Sequence, residues 1–324
     1  MLPYIHVKDL SLGPLTLHPF GVLVALGVVI GTWLATWRAR TRGMDLVRLD
    51  SFVTWMLVAG FIGGHMLDSI FYHPKEVMKD PLSLIRLWEG LSSFGGFVGG
   101  VIGITLWKYF EYVPGAAKAD APAKAEAEGG DDAPAPAAKR GWFPIARRAV
   151  PETAMPFMDV ILSVFPVAWI FGRSGCSVVH DHPGAVSSVK GAFMTVAYPG
   201  PGERPQWEHA VDFFRGSVHR YDLGLMELSF TIVLSALLAL TWRRRLPTGS
   251  YIVAVCLAYA PVRFAMDRLR ITEGDSADPR YGGLTPAQWA CVALFGVGLL
   301  TALWMRSMAK RGIDLTDRVL VTPR

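Results

Sequence analysis

The chain has 324 residues, of which 52% are hydrophobic and 18% are charged, and its mean hydropathy is +0.33. This composition is too apolar for an ordinary soluble domain and is typical of a protein with several membrane helices. The net charge of +5 could indicate nucleic-acid binding. The basic residues are instead distributed as the positive-inside rule expects, so we predict no nucleic-acid partner.

Seven apolar stretches follow one another along the chain. A membrane-spanning helix needs about 20 mostly apolar residues. That length is met at 18–37, 51–71, 91–110, 154–174, 223–242, 250–269 and 285–305. The sequence therefore predicts an all-α membrane protein with seven transmembrane helices. Residues 1–17 lack the basic and apolar regions of a signal peptide, so the first span is expected to remain in the protein.

Basic residues accumulate after every second predicted span. After the first, third, fifth and seventh spans they are Arg38, Arg40, Arg42 and Arg48; Lys118, Lys124, Lys139, Arg140, Arg147 and Arg148; Arg243, Arg244 and Arg245; and Arg306, Lys310, Arg311, Arg318 and Arg324. All of them lie on one side if the spans alternate in direction, and the positive-inside rule assigns that side to the cytoplasm. We predict that the N-terminus lies outside and the C-terminus in the cytoplasm.

Two segments interrupt the series of spans. Residues 113–150 are rich in Ala, Pro and charge, and they predict a disordered cytoplasmic loop. Residues 176–222 mix apolar and polar residues, and they predict a small folded periplasmic cap between spans four and five, with a short strand at 193–198. The predicted division is 1–112 for helices one to three, 113–150 for the loop, 151–175 for helix four, 176–222 for the cap, 223–308 for helices five to seven and 309–324 for a cytoplasmic tail.

Polar residues gather in the outward half of the predicted spans. They are His65, Asp68, Arg173, Arg220, Tyr221, Asp222, Arg263 and Asp267. The inward half holds little that is comparable, and Lys108 is expected to snorkel. Because ionisable groups are expensive inside a membrane and are usually functional there, this pattern predicts a polar cavity open toward the outer leaflet.

Two arginines on different helices at similar depth favour an anion site. Arg173 ends span four and Arg263 lies in span six. The planar donor fork of arginine can bind phosphate bidentately. Two alternatives stay open: Arg263 and Asp267 lie four apart and could form a purely structural pair, and Arg173 could snorkel to the interface.

The third span is rich in glycine at helical spacing. Gly95, Gly99 and Gly103 are four residues apart, as are Gly96 and Gly100. Such rows let helices approach closely, and packing is the expected role of Gly99, Gly100 and Gly103. Gly95 and Gly96 open the helix, where their backbone N–H groups could instead meet a phosphate.

Cysteine and histidine give no metal signature. The three cysteines cannot form an even disulfide framework, and Cys256 and Cys291 are expected to pack as small apolar residues. The run His180-Asp181-His182 has ligand-type side chains but no distant fourth ligand, so an acid–base role or a plain polar loop is favoured over a metal. We predict neither a metal nor a cofactor.

Several short motifs follow one another along the chain. They are 17–21 (LHPFG), 62–65 (IGGH), 81–96, 172–176 (GRSGC) with Asp181 and Gly184, 220–227, 263–264 (RF) and 283–288 (GLTPAQ). In this order, they resemble the prolipoprotein diacylglyceryl transferase family of bacterial inner-membrane enzymes. The resemblance covers nearly the whole chain apart from the low-complexity loop, and the order, spacing and membrane placement of the motifs make it specific.

The chain departs from the family pattern at positions that matter for chemistry. The histidine that the family has before Gly95 is Phe94 here, and the asparagine of the family signature is Cys176, which has no spaced base and is not expected to be a nucleophile. Because phenylalanine cannot accept a proton, an active enzyme would need another base. The candidates are His65, which stands in place of a family arginine, His180 and His182.

The resemblance implies a multi-pass enzyme of the inner (cytoplasmic) membrane that acts in lipoprotein maturation. It would transfer a diacylglyceryl group from phosphatidylglycerol to the thiol of the lipobox cysteine of a prolipoprotein. Its partners would be phosphatidylglycerol, other membrane lipids and the lipobox segment of the signal peptide. The site residues that follow are Arg173 and Arg263 as phosphate clamps, Asp181 and Tyr221 as orienting groups, and Gly95, Gly96 and Arg220 in substrate binding.

Two other functions stay open. Phe94 favours a catalytically inactive relative that binds phospholipid or lipoprotein without transferring anything. A transporter or channel is the third possibility, although the chain shows no half-length repeat and no pair of spans broken by glycine or proline.

Overall fold

The computed structural model describes residues 2–5, 7, 9–12, 15–86, 90–112, 145–189, 192–199, 211–212, 218–272 and 278–316. Most of the predicted loop at 113–150 lies outside these residues. The chain divides into two compact units. The first unit comprises 1–49, 70–75 and 155–324, and the second comprises 50–69 and 76–154.

The described chain is mostly helical. Its α-helices are α1 (Pro19–Thr41), α2 (Leu46–Tyr72), α3 (Pro74–Lys79), α4 (Ser93–Tyr109), α5 (Met155–Val179), α6 (Leu223–Ala239), α7 (Ser250–Met266) and α8 (Pro286–Lys310), with 3₁₀ turns at Pro81–Ile85 and Asp267–Leu269. Each of the predicted spans overlaps one of these helices. By length and composition, α1, α2, α5 and α8 can cross a membrane, and the chain is a multi-pass membrane protein.

Side chains at the helix starts explain where several helices begin. Ser92 accepts a hydrogen bond from Gly95 N at the start of α4, and Asp222 accepts one from Leu225 N at the start of α6. Thr285 and Gln288 form a reciprocal capping box that opens α8, with Pro286 next in the chain. These residues satisfy backbone donors that a helix start would otherwise leave unpaired.

The all-α prediction is incomplete because short strands connect the helices. They are β1 (Tyr4–Ile5), β2 (Leu10–Leu12), β3 (Leu15–Leu17), β4 (Phe110–Tyr112), β5 (Ile145–Arg147), β6 (Pro183–Val186), β7 (Thr195–Tyr198), β8 (Val211–Asp212) and β9 (Val218–Asp222). An antiparallel sheet of order β6-β9-β7 lies between α5 and α6. The strand predicted within 193–198 is confirmed as β7, which is buried along its length.

In the first unit, α1 packs closely on α5 through glycine. A methyl group added to Gly27 would lie 2.8 Å from the carbonyl oxygen of Ala168, and one added to Gly31 would lie 2.8 Å from its Cβ. Next to this contact, Tyr251, Val255 and Tyr259 of α7 pack with Leu234 and Leu238 of α6 in an apolar cluster. Close packing of this kind holds helices together where both lipid and protein are apolar.

A buried polar cluster lies where α1 ends and α7 begins. Arg38 is 1% exposed, and its guanidinium donates to Ser163 Oγ at 3.2 Å, to the Trp242 carbonyl at 2.7 Å and to Tyr251 Oη at 3.1 Å. Asp159 is fully buried and accepts from the backbone N–H of Tyr251 at 2.8 Å. These residues lie at the end of α5 opposite to Arg173, so the expectation that polar residues gather at one end alone is wrong.

In the second unit, α4 packs on α2 through the predicted glycine row. A methyl group on Gly63 would lie 2.7 Å from Gly99 Cα, and one on Gly99 would collide with the carbonyl oxygen of Ala59. The neighbouring Gly100 is different, because its nearest contact would be the flexible Met56 Cγ at 3.8 Å. Packing is therefore the role of Gly99, whereas Gly100 makes only ordinary contact.

Replacing Gly99 by alanine is expected to destabilise the protein by about 1–3 kcal/mol, because the added methyl group forces two helix backbones apart. The free energy of unfolding in detergent measures the effect. Gly100→Ala, one residue further along the same helix, is the matched control and is expected to be neutral or stabilising, because alanine favours the helix by up to about 1 kcal/mol. Equal effects of the two substitutions would contradict this account of the packing.

Candidate active site

The two arginines predicted as an anion site converge on one carboxylate of α6. Arg173 Nε of α5 lies 2.9 Å from Glu227 Oε1 as an ion pair outside hydrogen-bonding geometry, and Arg263 Nε of α7 lies 3.2 Å from Glu227 Oε2. All three side chains are almost wholly buried. Glu227 therefore holds two guanidinium groups from different helices at one place.

Two aromatic side chains complete the shell of Glu227. Its Oε1 atom accepts hydrogen bonds from Trp169 Nε1 at 3.1 Å and from the Tyr259 hydroxyl. The Trp169 ring also lies against the guanidinium of Arg173, whose Cζ is 4.8 Å from the ring centroid. A cation over an indole face is stabilised most where water is excluded. Trp169 thus contacts both Glu227 and Arg173, and Tyr259 contacts Glu227.

Asp267 fixes the second guanidinium from the far side. Its Oδ1 atom accepts from Arg263 Nη1 at 2.9 Å, and its Oδ2 atom accepts from the Thr285 hydroxyl at the start of α8. The structural pair of Arg263 and Asp267 that the sequence left open is therefore present. It does not use up the arginine, because Arg263 also contacts Glu227.

The four charged side chains Arg173, Glu227, Arg263 and Asp267 carry no net charge together. An anion here would be held by directed N–H donors rather than by an excess of positive charge. Among the residues that the structure describes, neither Arg173 Nη2 nor Arg263 Nη2 has a hydrogen-bond partner. Arg173 Nη1 points to Cys176 Sγ at 3.6 Å. Both arginines thus keep donors for a ligand.

The His180-Asp181-His182 run is divided by a turn. His180 has a left-handed backbone conformation with φ of 52°. The Asp181 and His182 side chains pair through His182 Nδ1, and potential ligand atoms of these two residues and Cys176 lie within 4.8 Å of one another. We do not assign them as metal ligands, because the Arg173 guanidinium beside Cys176 Sγ would repel a dication.

His180 joins a different cluster within the cap. Its Nδ1 atom lies 2.9 Å from Asp222 Oδ2, and its Nε2 atom lies 3.1 Å from the carbonyl oxygen of Ile5. The Tyr4 ring stacks on the imidazole with centroids 4.0 Å apart, and the Tyr198 hydroxyl donates to Asp222 Oδ2 at 3.2 Å. This His180 cluster fastens the N-terminal strand to the sheet of the cap.

Burial raises the pKa of Tyr198 well above its usual value, and the Asp222 carboxylate raises it further. Burial and Asp222 raise the pKa of Tyr4 in the same way. A raised phenol pKa contributes stability below the ordinary tyrosine value of about 10, and that contribution is lost as the pH rises further.

We expect the cap to loosen above about pH 10, where unfolded tyrosine ionises. Hydrogen exchange of β7 across a pH series measures the loosening. Tyr198→Phe, which removes the more strongly shifted phenol, is expected to flatten the alkaline part of this profile. A profile that Tyr198→Phe leaves unchanged would contradict the role given to this hydroxyl.

Three predicted residues belong to the second unit. His65 is fully buried, with Nδ1 3.3 Å from the Gly90 carbonyl and Nε2 2.9 Å from the Ser83 carbonyl. The N–H of Gly95 donates to Ser92 Oγ at 3.4 Å, and that of Gly96 donates to the Ser92 carbonyl at 2.9 Å. The prediction that these two N–H groups meet a phosphate would require it to displace Ser92.

The remaining predicted residues lie in strand β9 of the cap. Arg220 Nη1 donates to the Gly184 carbonyl at 3.2 Å, and Tyr221 pairs with Thr195 of β7. Neither has a described contact with Arg173 or Arg263. The residue of this stretch that joins a polar cluster is Asp222, which pairs with His180 and caps α6.

Sequence reasoning missed three residues of the site, namely Glu227, Trp169 and Tyr259. Glu227 had a signal, because it is an acid inside an otherwise apolar helix and matches the last position of a family motif. Trp169 and Tyr259 had none, since aromatic residues are common in membrane helices. Their roles depend on which helices are neighbours.

Comparison with known proteins adds a family to this geometry. A sequence model described as prolipoprotein diacylglyceryl transferase matches residues 9–125 and 141–304, a range that includes every charged residue of the site. The part between the two matched ranges falls within the predicted low-complexity loop. The match confirms the resemblance found in the motifs.

Several similar proteins carry the name phosphatidylglycerol–prolipoprotein diacylglyceryl transferase. The one from Nitratidesulfovibrio vulgaris is 24% identical over 310 residues, which cover 95% of this chain and 97% of the relative. The one from Klebsiella pneumoniae is 24% identical over 319 residues, with 93% and 95% covered. The one from Pseudomonas paraeruginosa is 23% identical over 305 residues, with 93% and 94% covered.

Proposed function

The chain belongs to the prolipoprotein diacylglyceryl transferase family, and from that membership we propose that it transfers a diacylglyceryl group from phosphatidylglycerol to the lipobox cysteine of a prolipoprotein. The observation that carries the proposal is the convergence of Arg173 and Arg263 on Glu227, with donors left for an anion. Arginine pairs of this kind suit a phosphodiester because each guanidinium offers a planar fork of N–H groups.

The reaction replaces a carbon–oxygen bond by a carbon–sulfur bond. The substrate thiolate attacks the glyceryl carbon that carries the phosphate, and glycerol phosphate leaves with the bonding electron pair. Arg173 and Arg263 donate to the phosphate oxygens as negative charge grows on them, which lowers the barrier. Glu227 keeps the two guanidinium groups in place, and Asp181 orients the imidazole of His182, with which it is paired.

Tyr221, Arg220, Gly95 and Gly96 complete the proposed substrate contacts. Tyr221 orients the lipid, and the other three bind it. Each would have to act through atoms that its present partners leave free, because Arg220 and both glycine N–H groups already donate within the protein.

The proposed setting is the inner membrane, with seven transmembrane helices, the N-terminus outside and the C-terminus in the cytoplasm. Basic residues after alternate helices support this orientation. The cap at 176–222 then lies on the periplasmic side, above the end of α5 that carries Arg173. In that arrangement the site meets phosphatidylglycerol of the outer leaflet and the lipobox segment of a prolipoprotein, while 113–150 forms a cytoplasmic loop and 309–324 a cytoplasmic tail.

A transfer assay tests the proposal. The purified protein in vesicles that contain phosphatidylglycerol is given a lipobox peptide, and the mass of the peptide is measured. A diacylglyceryl adduct on the cysteine is expected. Vesicles of phosphatidylcholine alone provide the control and should yield no adduct. Absence of the adduct in both vesicles, while a family member of known activity works in the first, would contradict the proposal.

The second candidate is a relative that binds phospholipid without transferring it. Phe94 favours this function, because a phenyl ring cannot move a proton where the family has histidine. It predicts saturable binding of phosphatidylglycerol with no thioether product in the same vesicles. The assay therefore separates the two functions by product and not by binding.

A further inference from the structure

The proposed transfer needs a base for the thiol proton, because the thiolate is the nucleophile. Phe94 cannot supply it, and three histidines were candidates from the sequence: His65, His180 and His182. Their ring nitrogens have different surroundings. A base must present a lone pair within reach of the proton that it takes.

His65 and His180 do not present such a lone pair. Both nitrogens of His65 face backbone carbonyl oxygens, at 3.3 Å and 2.9 Å. The nitrogens of His180 face the Asp222 carboxylate at 2.9 Å and the Ile5 carbonyl at 3.1 Å. All four nitrogens therefore face oxygen atoms of the protein, and none of them is open to a substrate thiol.

His182 differs from both. Its Nδ1 atom pairs with the Asp181 carboxylate, and Nε2 has no partner among the residues that the structure describes. The His182 side chain is 22% exposed, so a substrate can reach it. An Nδ1–H held by a carboxylate fixes the tautomer and leaves the lone pair on Nε2, which is the arrangement of a general base with its orienting acid.

The pair also lies beside the phosphate clamp. A His182 ring nitrogen and an Asp181 carboxylate oxygen lie within 4.8 Å of Cys176 Sγ, and that sulfur lies 3.6 Å from Arg173 Nη1. Resting on the proposed transferase function, we infer that His182, positioned by Asp181, is the general base that takes the proton from the substrate thiol.

The proposed step conserves protons and electrons. The thiol proton passes to His182 Nε2, and the sulfur lone pair forms the bond to the glyceryl carbon. The bond from that carbon to the phosphate oxygen breaks, and glycerol phosphate departs with one more negative charge than the diester carried. The proton on His182 then leaves with the phosphate or to water, and no oxidant or metal takes part.

The test uses two peptides that differ in one atom. One lipobox peptide carries cysteine and the other selenocysteine, whose selenol is already ionised near neutral pH and needs no base. His182→Gln is expected to slow transfer to the cysteine peptide by about 10²–10⁴-fold. Transfer to the selenocysteine peptide should stay close to the rate of the unsubstituted protein. Asp181→Asn should show the same selectivity to a smaller extent, as a positioning residue.

A second histidine–aspartate pair provides the matched control. His18 Nδ1 lies 3.0 Å from Asp9 Oδ1, and both side chains are largely exposed. His18→Gln should leave transfer to both peptides unchanged. Phosphatidylglycerol binding, measured on each variant, shows whether His182→Gln keeps its fold.

The outcomes distinguish this inference from the function on which it rests. If His182→Gln slows both peptides equally, or slows neither, another group is the base and the inference is wrong, while the transferase function stands. If the unsubstituted protein modifies neither peptide, both the inference and the proposed function are wrong.

Discussion

Replacing Arg173 by alanine is expected to slow diacylglyceryl transfer by about 10²–10³-fold, and replacing Arg263 by alanine is expected to have a similar effect. Each guanidinium offers N–H donors to a phosphate that gains negative charge as the carbon–oxygen bond breaks. Those donors sit in a place that is almost closed to water, where a directed hydrogen bond is worth more than at a surface. Initial rates of adduct formation in phosphatidylglycerol vesicles measure the loss.

Arg268 provides the matched control for these substitutions. It follows Arg263 by five residues, is exposed and lies against the Phe264 ring rather than against Glu227. Arg268→Ala should transfer at nearly the unsubstituted rate. A fall in kcat with unchanged KM would place the arginines at the transition state, whereas a rise in KM alone would make them lipid anchors. Full activity of both Arg173→Ala and Arg263→Ala would contradict their assignment.

The arginine pair could be predicted from the sequence because charge inside an apolar run is conspicuous. Its counter-ion could not. Arg173, Arg263 and Glu227 come from three helices, and their contact depends on how α5, α6 and α7 pack. Hydropathy places each helix along the chain, but it does not determine which helix faces which. The sequence therefore predicted the donors of the site without the acid that holds them.

The first predicted span ends at residue 37, and the sequence counts Arg38 among the cytoplasmic charges that follow it. The helix continues to Thr41, and Arg38 is buried with partners on Ser163, Trp242 and Tyr251. A positive-inside count treats every arginine as solvated, and only the fold shows which one is satisfied by protein.

The residues of the 180–182 run belong to two different clusters, which their spacing in the sequence does not reveal. Three adjacent ligand-type residues look like one site. The left-handed backbone at His180 instead sends its ring to Asp222, while His182 pairs with Asp181. A left-handed conformation is uncommon for any residue other than glycine, and the residue types alone did not indicate the turn. The separation matters, because it leaves Nε2 of His182 without a partner among the described residues, whereas both ring nitrogens of His180 face oxygen atoms.

Replacing Glu227 by glutamine is expected to lower the free energy of unfolding by about 3–5 kcal/mol, although the side chain keeps its size. The cause is charge. Without Glu227, Arg173 loses its carboxylate and Arg263 retains only Asp267, so a buried guanidinium is left uncompensated. Ser235→Ala is the control on the same helix, because among the described residues the partner of that hydroxyl is the Thr231 carbonyl, and its effect should be small.

A double-mutant cycle with Arg173→Gln separates this cause from a general disturbance of the helix. If Glu227 stabilises the fold through the ion pair, the double variant loses less free energy of unfolding than the sum of the two single losses, because Arg173 is then no longer left as an unpaired buried charge. Additive losses would mean that Glu227 acts through Tyr259 and Trp169 alone. The transfer rates of the same variants show whether Glu227 serves catalysis beyond folding. If the arginines keep their positions without Glu227, Glu227→Gln should transfer at the unsubstituted rate.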